Sequence, residues 1–128
     1  MTTRTSFAEL ADRYVAVWNE PDPATRRAAI AQLWVPDGEH FVRTQQVKGY
    51  EALEQRISGS HEKNVRDGGF RFASSGDAQR LHHAVMFHWH MAPAEGGPIA
   101  ALGLEFLVLA ADGRIAADYQ FTLPTPAA

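Results

Sequence analysis

IAALGLEFLVLAADGRIAADYQFT, residues 99–122, is the stretch that decides the fold. Two apolar runs flank Asp112-Gly113, and Asp-Gly between alternating apolar residues is the turn chemistry of a β-hairpin. Glu105 interrupts the first run. Asp118 and Gln120 stand two apart in the second, so they share one strand face. Carboxyl and amide groups on a strand that is otherwise to be buried must be paired or used, because burying them bare is costly. A hairpin that turns such groups inward points to a pocket.

Upstream of the hairpin the chain reads helices first. Ser6 with Glu9 three residues on forms a capping box, and Phe7, Leu10, Ala11, Tyr14, Val15 and Trp18 recur at helical spacing. A first helix is expected from Ser6 to Trp18. Asp22 caps a second, with Pro23 at its first position, running to Leu33 or Trp34. Val35-Pro36-Asp37-Gly38 reads as a turn and residues 39–44 as a short strand. Tyr50 to Ser60 is a third helix with Tyr50, Leu53 and Ile57 on one side. The period then changes. Residues 61–69 read as a polar loop, 70–74 as a strand, 80–91 as one long strand and 93–98 as a loop. Helices followed by strands predict an α+β fold, with three N-terminal helices packed on one face of an antiparallel sheet. With 128 residues, 45% of them hydrophobic, the chain is expected to be one domain, with a core over about 7–122 and a tail at 123–128.

Composition excludes several classes of function. The net charge is −3 and the 12 lysines and arginines are scattered, so no basic stripe exists for nucleic acid. No apolar run reaches the ~18 residues of a membrane span. The N-terminal string MTTRTSFAELADRY lacks an apolar signal core, and a cytoplasmic location is the default expectation. The absence of cysteine excludes disulfides, thiolate metal sites and cysteine nucleophiles.

Several strings resemble the nuclear transport factor 2-like superfamily, which includes SnoaL-like polyketide cyclases, ketosteroid isomerase, limonene epoxide hydrolase and scytalone dehydratase. They are Arg13-Tyr14-Val15-Ala16 with Asn19, Leu33-Trp34 with Pro36-Asp37-Gly38, KGYEAL at 48–53, Phe87-His88-Trp89, and Asp112-Gly113-Arg114-Ile115. The resemblance spans about residues 7–122. It implies a cone-shaped domain with a cavity between the first helix and the concave sheet face. It places Tyr14 where ketosteroid isomerase has its oxyanion-stabilising tyrosine, and Glu105 near that enzyme's protonated carboxyl partner. Val42 falls where the isomerase carries its general-base aspartate. Asp118, Tyr119 and Gln120 occupy the place of a His-Trp-Asp-like string of SnoaL-like proteins. The same resemblance turns the Phe87 and Trp89 face into the cavity, and His83 shares that face by alternation.

Tyr14, Glu105 and Asp118 are accordingly the candidate catalytic set, with His83 assisting. Two carboxyls in an apolar cone do not both ionise easily, so one becomes an acid near neutral pH beside a base. The plainer reading is a polar patch at the cavity mouth, or a carboxylate paired with arginine. Trp18, Val42, Leu53, Phe87, Trp89 and Gln120 are the candidate ligand-binding residues, and Trp34, Phe41 and Phe106 are further aromatic candidates or plain core. His40 shares a face with Val42 and is a candidate for the cavity entrance. His82, Met86, His88 and His90 lie on the opposite, convex face. His88 and His90 could pinch a metal, but no third ligand is marked, so no metal and no cofactor are expected. A second copy is expected to cover the convex face as a homodimer. The expected function is cofactor-free acid/base chemistry on an apolar oxygenated metabolite: isomerisation, cyclisation, dehydration or epoxide opening. The alternative is a non-catalytic small-molecule-binding or protein-interaction module, which the valine at position 42 favours.

Overall fold

Helix caps read from the sequence are in place in the computed structural model, which describes residues 6–125. In α1 (Phe7–Asn19) the Ser6 hydroxyl accepts from the Glu9 N–H at 3.1 Å. In α2 (Pro23–Leu33) the Asp22 carboxylate accepts from the Thr25 N–H at 2.9 Å. Each cap satisfies a backbone donor that the first turn leaves free. Buried Arg26 ties α2 to its surroundings, donating to the Glu20 carbonyl at 2.7 Å and to the Ser58 hydroxyl of α3 (Tyr50–Ser60) at 2.9 Å. Among the described residues no helix is long and apolar enough to cross a membrane.

Among the described residues seven strands form one open sheet: β1 (Trp34–Val42), β2 (Gln45–Lys48), β3 (Phe70–Ser74), β4 (Gln79–Leu81), β5 (Ala84–Pro93), β6 (Ala101–Leu109) and β7 (Ile115–Leu123). The order is β2-β1-β7-β6-β5-β3, with β4 on β5. The α+β class holds. Every pair is antiparallel except β1 with β7, which run parallel. That parallel pair joins the first strand to the last and makes the sheet mixed.

Three local expectations are corrected. The turn expected at Val35–Gly38 lies inside β1, as an irregular stretch where the register with β7 shifts between Trp34 and Glu39. Gly38 is needed there, because a Cβ would stand 2.8 Å from Trp34 Cδ1. The polar loop expected after α3 is instead π-helical over His61–Asp67. Its polar groups find partners: His61 Nδ1 lies 3.1 Å from the Trp18 carbonyl, and Asn64 donates to the Ser60 hydroxyl at 3.2 Å. The long strand expected over 80–91 is broken at His82-His83 into a hairpin, with Leu81 opposite Ala84 and His82 at φ 53°. Histidine is among the residues that tolerate this left-handed conformation.

Register builds the inner face in rows. His40, Asp118, Leu107 and Val85 stand side by side across β1, β7, β6 and β5, and the next row is Val42, Gln120, Glu105 and Phe87. One step further, Thr122, Gly103 and Trp89 are aligned. Helix α1 covers these rows through Tyr14, Val15 and Trp18, which join Phe87, Trp89 and Leu107 in the core. β7 continues through Leu123, one residue into the expected tail, while 126–128 lie outside the described residues.

Gly103 opens the space into which the Trp89 indole leans. A Cβ at 103 would lie 2.1 Å from Trp89 Cζ2, and this neighbour is a rigid ring rather than a flexible end. Gly103→Ala is therefore expected to displace Trp89 and destabilise the protein by about 1–3 kcal/mol, as overpacked cores do. Gly59→Ala in α3, where a new Cβ meets nothing within 4 Å, should instead stabilise by about 0.5–1 kcal/mol. Urea denaturation of the two variants against the parent checks both signs.

Candidate functional site

Tyr14 reaches across from α1 to two carboxyl groups on neighbouring strands. Its hydroxyl lies 2.6 Å from Asp118 Oδ2 and 3.1 Å from Glu105 Oε2. The two carboxyls meet because Asp118 faces Leu107 and Glu105 faces Gln120, one residue pair along the same face, which makes them diagonal neighbours. Trp89 Nε1 donates to Glu105 Oε1 at 2.9 Å. His40 Nδ1 stands 2.7 Å from Asp118 Oδ2. His40 and Asp118 are wholly inaccessible, and Glu105 is nearly so.

Burial sets the charges of the group. Loss of hydration raises the Glu105 pKa well above 4.5, the neighbouring Asp118 charge raises it further, and hydrogen bonds from Trp89 and Tyr14 only partly oppose this. Glu105 is thus the member of the pair that keeps its proton to higher pH. Burial also pushes Asp118 upward, but attraction to His40 and hydrogen bonds from Glu105, His40 and Tyr14 outweigh it, so its pKa ends below 3.8. Asp118 is the carboxylate of the pair. Tyr14 is kept a neutral phenol, first by burial and then by the two acidic neighbours, which raise its pKa well above 10.0. One phenolic proton therefore stands between two carboxyls with opposite tendencies.

Above this group opens a pocket of about 490 Å³. Tyr14, Trp18, Phe72, Trp89 and Glu105 form its floor, and Arg43, Gln45, Arg56, Lys63, Asn64 and Gln120 its polar wall. Asp118 sits behind Tyr14 and does not line it. Gln120 lines the pocket, while Tyr119 and Phe121 point out, 39% and 52% exposed.

Several expected positions differ. Phe87, Leu53 and Val42 are packed inside the core and do not line the pocket; Phe87 lies edge-on to Tyr14 with centroids 5.5 Å apart. His83 is exposed beside a different hollow with Phe7, Leu10 and Arg13. The turn at His82-His83 breaks the alternation that was to carry it inward. His40 is not at an entrance but beneath Asp118, brought there by the parallel β1–β7 pair. Phe41 stacks on Tyr119 at 4.9 Å, and Phe106 meets the same ring on the outer face. His88 binds the Asp77 carboxylate. His40, Glu105 and Asp118 also hold ligand atoms within 4.8 Å of one another. Hydrogen bonds from Tyr14, His40 and Trp89 engage Asp118 Oδ2 and both Glu105 oxygens, while Asp118 Oδ1 and His40 Nε2 are buried without a partner among the described residues.

Arg56 was not singled out from the sequence. It falls at helical spacing with Leu53, Ile57 and Ser60, all buried, and a cation inside an apolar stripe was the signal available.

A profile of the SnoaL-like domain matches residues 11–117. The chain is similar to a proposed isomerase of the SnoaL-like family from Agrobacterium tumefaciens, with 24% identity, 94% of this chain and 100% of that one covered, and a TM-score of 0.82. It is similar to an NTF2-like protein of unknown function from Exiguobacterium, with 16% identity, 91% and 99% covered, and a TM-score of 0.68. A proposed polyketide cyclase from Sinorhizobium meliloti gives 11% identity, 88% and 94% covered, and a TM-score of 0.65. No curated protein matches.

The opposite shifts of the two carboxyls predict the pH dependence of stability. Above pH 4.5 the unfolded chain loses the Glu105 proton while the fold retains it. The unfolded state then binds fewer protons, so stability falls as pH rises toward the raised folded pKa. Asp118 acts oppositely: its contribution is present above 3.8 and is lost as pH falls through the lowered value. Glu105→Gln should remove the first slope, up to about 1.4 kcal/mol per pH unit from the ordinary glutamate range upward. Urea midpoints of variant and parent over that range measure it, and equal slopes would mean that Glu105 ionises normally in the fold.

Proposed function

Since the chain belongs to the SnoaL-like family, we propose that it is a cofactor-free acid/base enzyme acting on an apolar, oxygenated small molecule, of isomerase or cyclase type. The observation that carries this reading is the pocket-facing Glu105 carboxyl, 3.1 Å from the Tyr14 hydroxyl, which is itself 2.6 Å from Asp118. The solved neighbours are under 25% identical and bring the fold alone; the reaction is argued from these side chains.

Glu105 is the group with a proton to give. It protonates a substrate oxygen, a carbonyl on its way to an enol for instance, and becomes a carboxylate. Tyr14 then turns its hydrogen bond from Asp118 to Glu105, so the phenol stabilises whichever carboxyl carries the charge. Trp89 holds Glu105 by its other oxygen and fixes the direction of transfer. The new Glu105 carboxylate takes a proton from the adjacent carbon and is restored. One carboxyl thus serves as acid and then as base, which fits a site with valine at position 42. Asp118 and His40 are positioning residues: they hold Tyr14 and touch no substrate.

Complete burial of Asp118 and His40 favours a second reading, a binding module whose polar cluster is structural. We also read the outer aromatic face around Phe106, Tyr119 and Phe121 as the seat of a second copy.

Deuterium uptake distinguishes the two functional readings. The enzyme reading expects a panel of apolar ketones, incubated with the protein in heavy water, to include members that gain deuterium beside the carbonyl. Glu105→Gln should lower that rate by about 10²–10⁴-fold, the usual worth of a general acid/base, while Phe106→Ser on the outer face leaves it unchanged. Binding of panel ketones without any exchange would favour the module.

A further inference from the structure

We propose that the ligand of this pocket is an anion: a carboxylic acid with an apolar body and a second oxygen function. This rests on the acid/base reading only for that second oxygen, which would meet Glu105 and Tyr14; the acid group would meet the pocket's cations.

Arg43, Arg56 and Lys63 all line the pocket. Among the described residues the one acidic side chain lining it is Glu105, whose pKa burial raises. In a chain of net charge −3 this is a local reversal of sign. Outside the pocket Arg27, Arg66 and Arg114 are paired with Glu54, Asp67 and Asp112, whereas Arg13, Arg26, Lys48, Arg71 and Arg80 are in no salt bridge among the described residues, so it is the gathering of three cations in one hollow that sets the pocket apart. None of the three pocket cations is in a salt bridge among the described residues.

Arg56 is the informative one. Its guanidinium lies over the Trp18 ring, 5.0 Å from the centroid, and its Nε is buried without a hydrogen-bond partner. A half-buried guanidinium with an unused donor is costly unless something supplies an acceptor. The planar fork fits a carboxylate. Trp18 holds the fork from one side, so little freedom is lost on binding. Trp18, Phe72 and Trp89 supply apolar surface in the same pocket. The volume of about 490 Å³ lies in the range of small-molecule sites. Arg43 sits at φ 52° in the β1–β2 turn, with Gln45 beside it, and places a second cation at the mouth.

A matched pair of probes tests this without turnover: 2-naphthoate and 2-naphthamide, nearly equal in shape and different in charge. Calorimetric titration of the parent should give about tenfold tighter binding of the acid, or more, as expected of a charge-assisted contact over a neutral one. Added salt should weaken the acid and leave the amide unchanged. Arg56→Gln should abolish the preference while the amide binds as before, and Arg56→Lys should keep part of it. Glu105→Gln should retain the preference even where deuterium exchange is lost, so failure of the catalytic reading is seen separately. Equal affinities in the parent, equal loss of both probes in Arg56→Gln, or binding of neither probe at millimolar concentration would each overturn the proposal.

Discussion

The negative charge of Asp118, sealed from water, is the constraint on which the rest of the structure depends. A bare carboxylate in such a place is expelled or neutralised. Here it is kept, because His40 and Tyr14 both reach Oδ2. Those partners come from β1 and α1, 78 and 104 residues away in the chain. Satisfying one oxygen therefore fixes the first helix against the last strand, and the first strand beside the last. Trp89 and Glu105 extend the same set onto β5 and β6. Loss of one partner would leave a buried charge uncompensated, the more damaging half of any buried pair.

This constraint also separates the two carboxyls. Like charges this close cannot both form easily. Asp118 has His40 beside it, which lowers its pKa, whereas Glu105 has only the neutral donors Trp89 and Tyr14, so Asp118 takes the charge and the proton stays longer on Glu105. The two differ in exposure to the pocket as well. The member that keeps its proton longer lines it and the charged member is behind Tyr14. The proton is thus on the accessible side and the charge that balances it is protected, an arrangement suited to giving a proton to a bound oxygen.

Much of this could be read from the chain itself, and the reason is alternation. In β6 and β7 the strand period and the Asp112-Gly113 turn together determine which residues face inward, so Glu105, Asp118 and Gln120 were legible as a polar set. Tyr14 was legible from the helical period of α1. His40 was read on the inward face with Val42, but its place beneath Asp118 was not legible, because it depends on a parallel pairing of strands far apart in sequence, which no local pattern encodes. His83 was misread because alternation was carried across a turn. His82 takes a left-handed backbone there without the glycine or asparagine that would have marked it. Val42, Leu53 and Phe87 face inward as read, but facing inward means core in some rows and pocket in others. What separates them is how α1 and α3 lie over the sheet. Arg56 is the reverse case, a charge in an apolar stripe whose partner is an aromatic ring of another helix.

Gly103 shows how packing and chemistry share the same atoms. With no side chain at that point, the Trp89 indole can cross β6 and bring its N–H to Glu105. The ring then closes the floor of the pocket on one face and joins the core on the other. Trp18 repeats the device, packed among core residues while the Arg56 guanidinium lies over its ring. The polar groups that face the pocket are therefore mounted on rings whose positions the core determines. A shift of the core of a few tenths of an ångström would move Glu105 and Arg56 relative to each other. That coupling is the reason to expect stability and ligand recognition in this protein to respond to the same substitutions at Gly103 and Trp89, and to different ones at Glu105 and Arg56, whose roles are electrostatic.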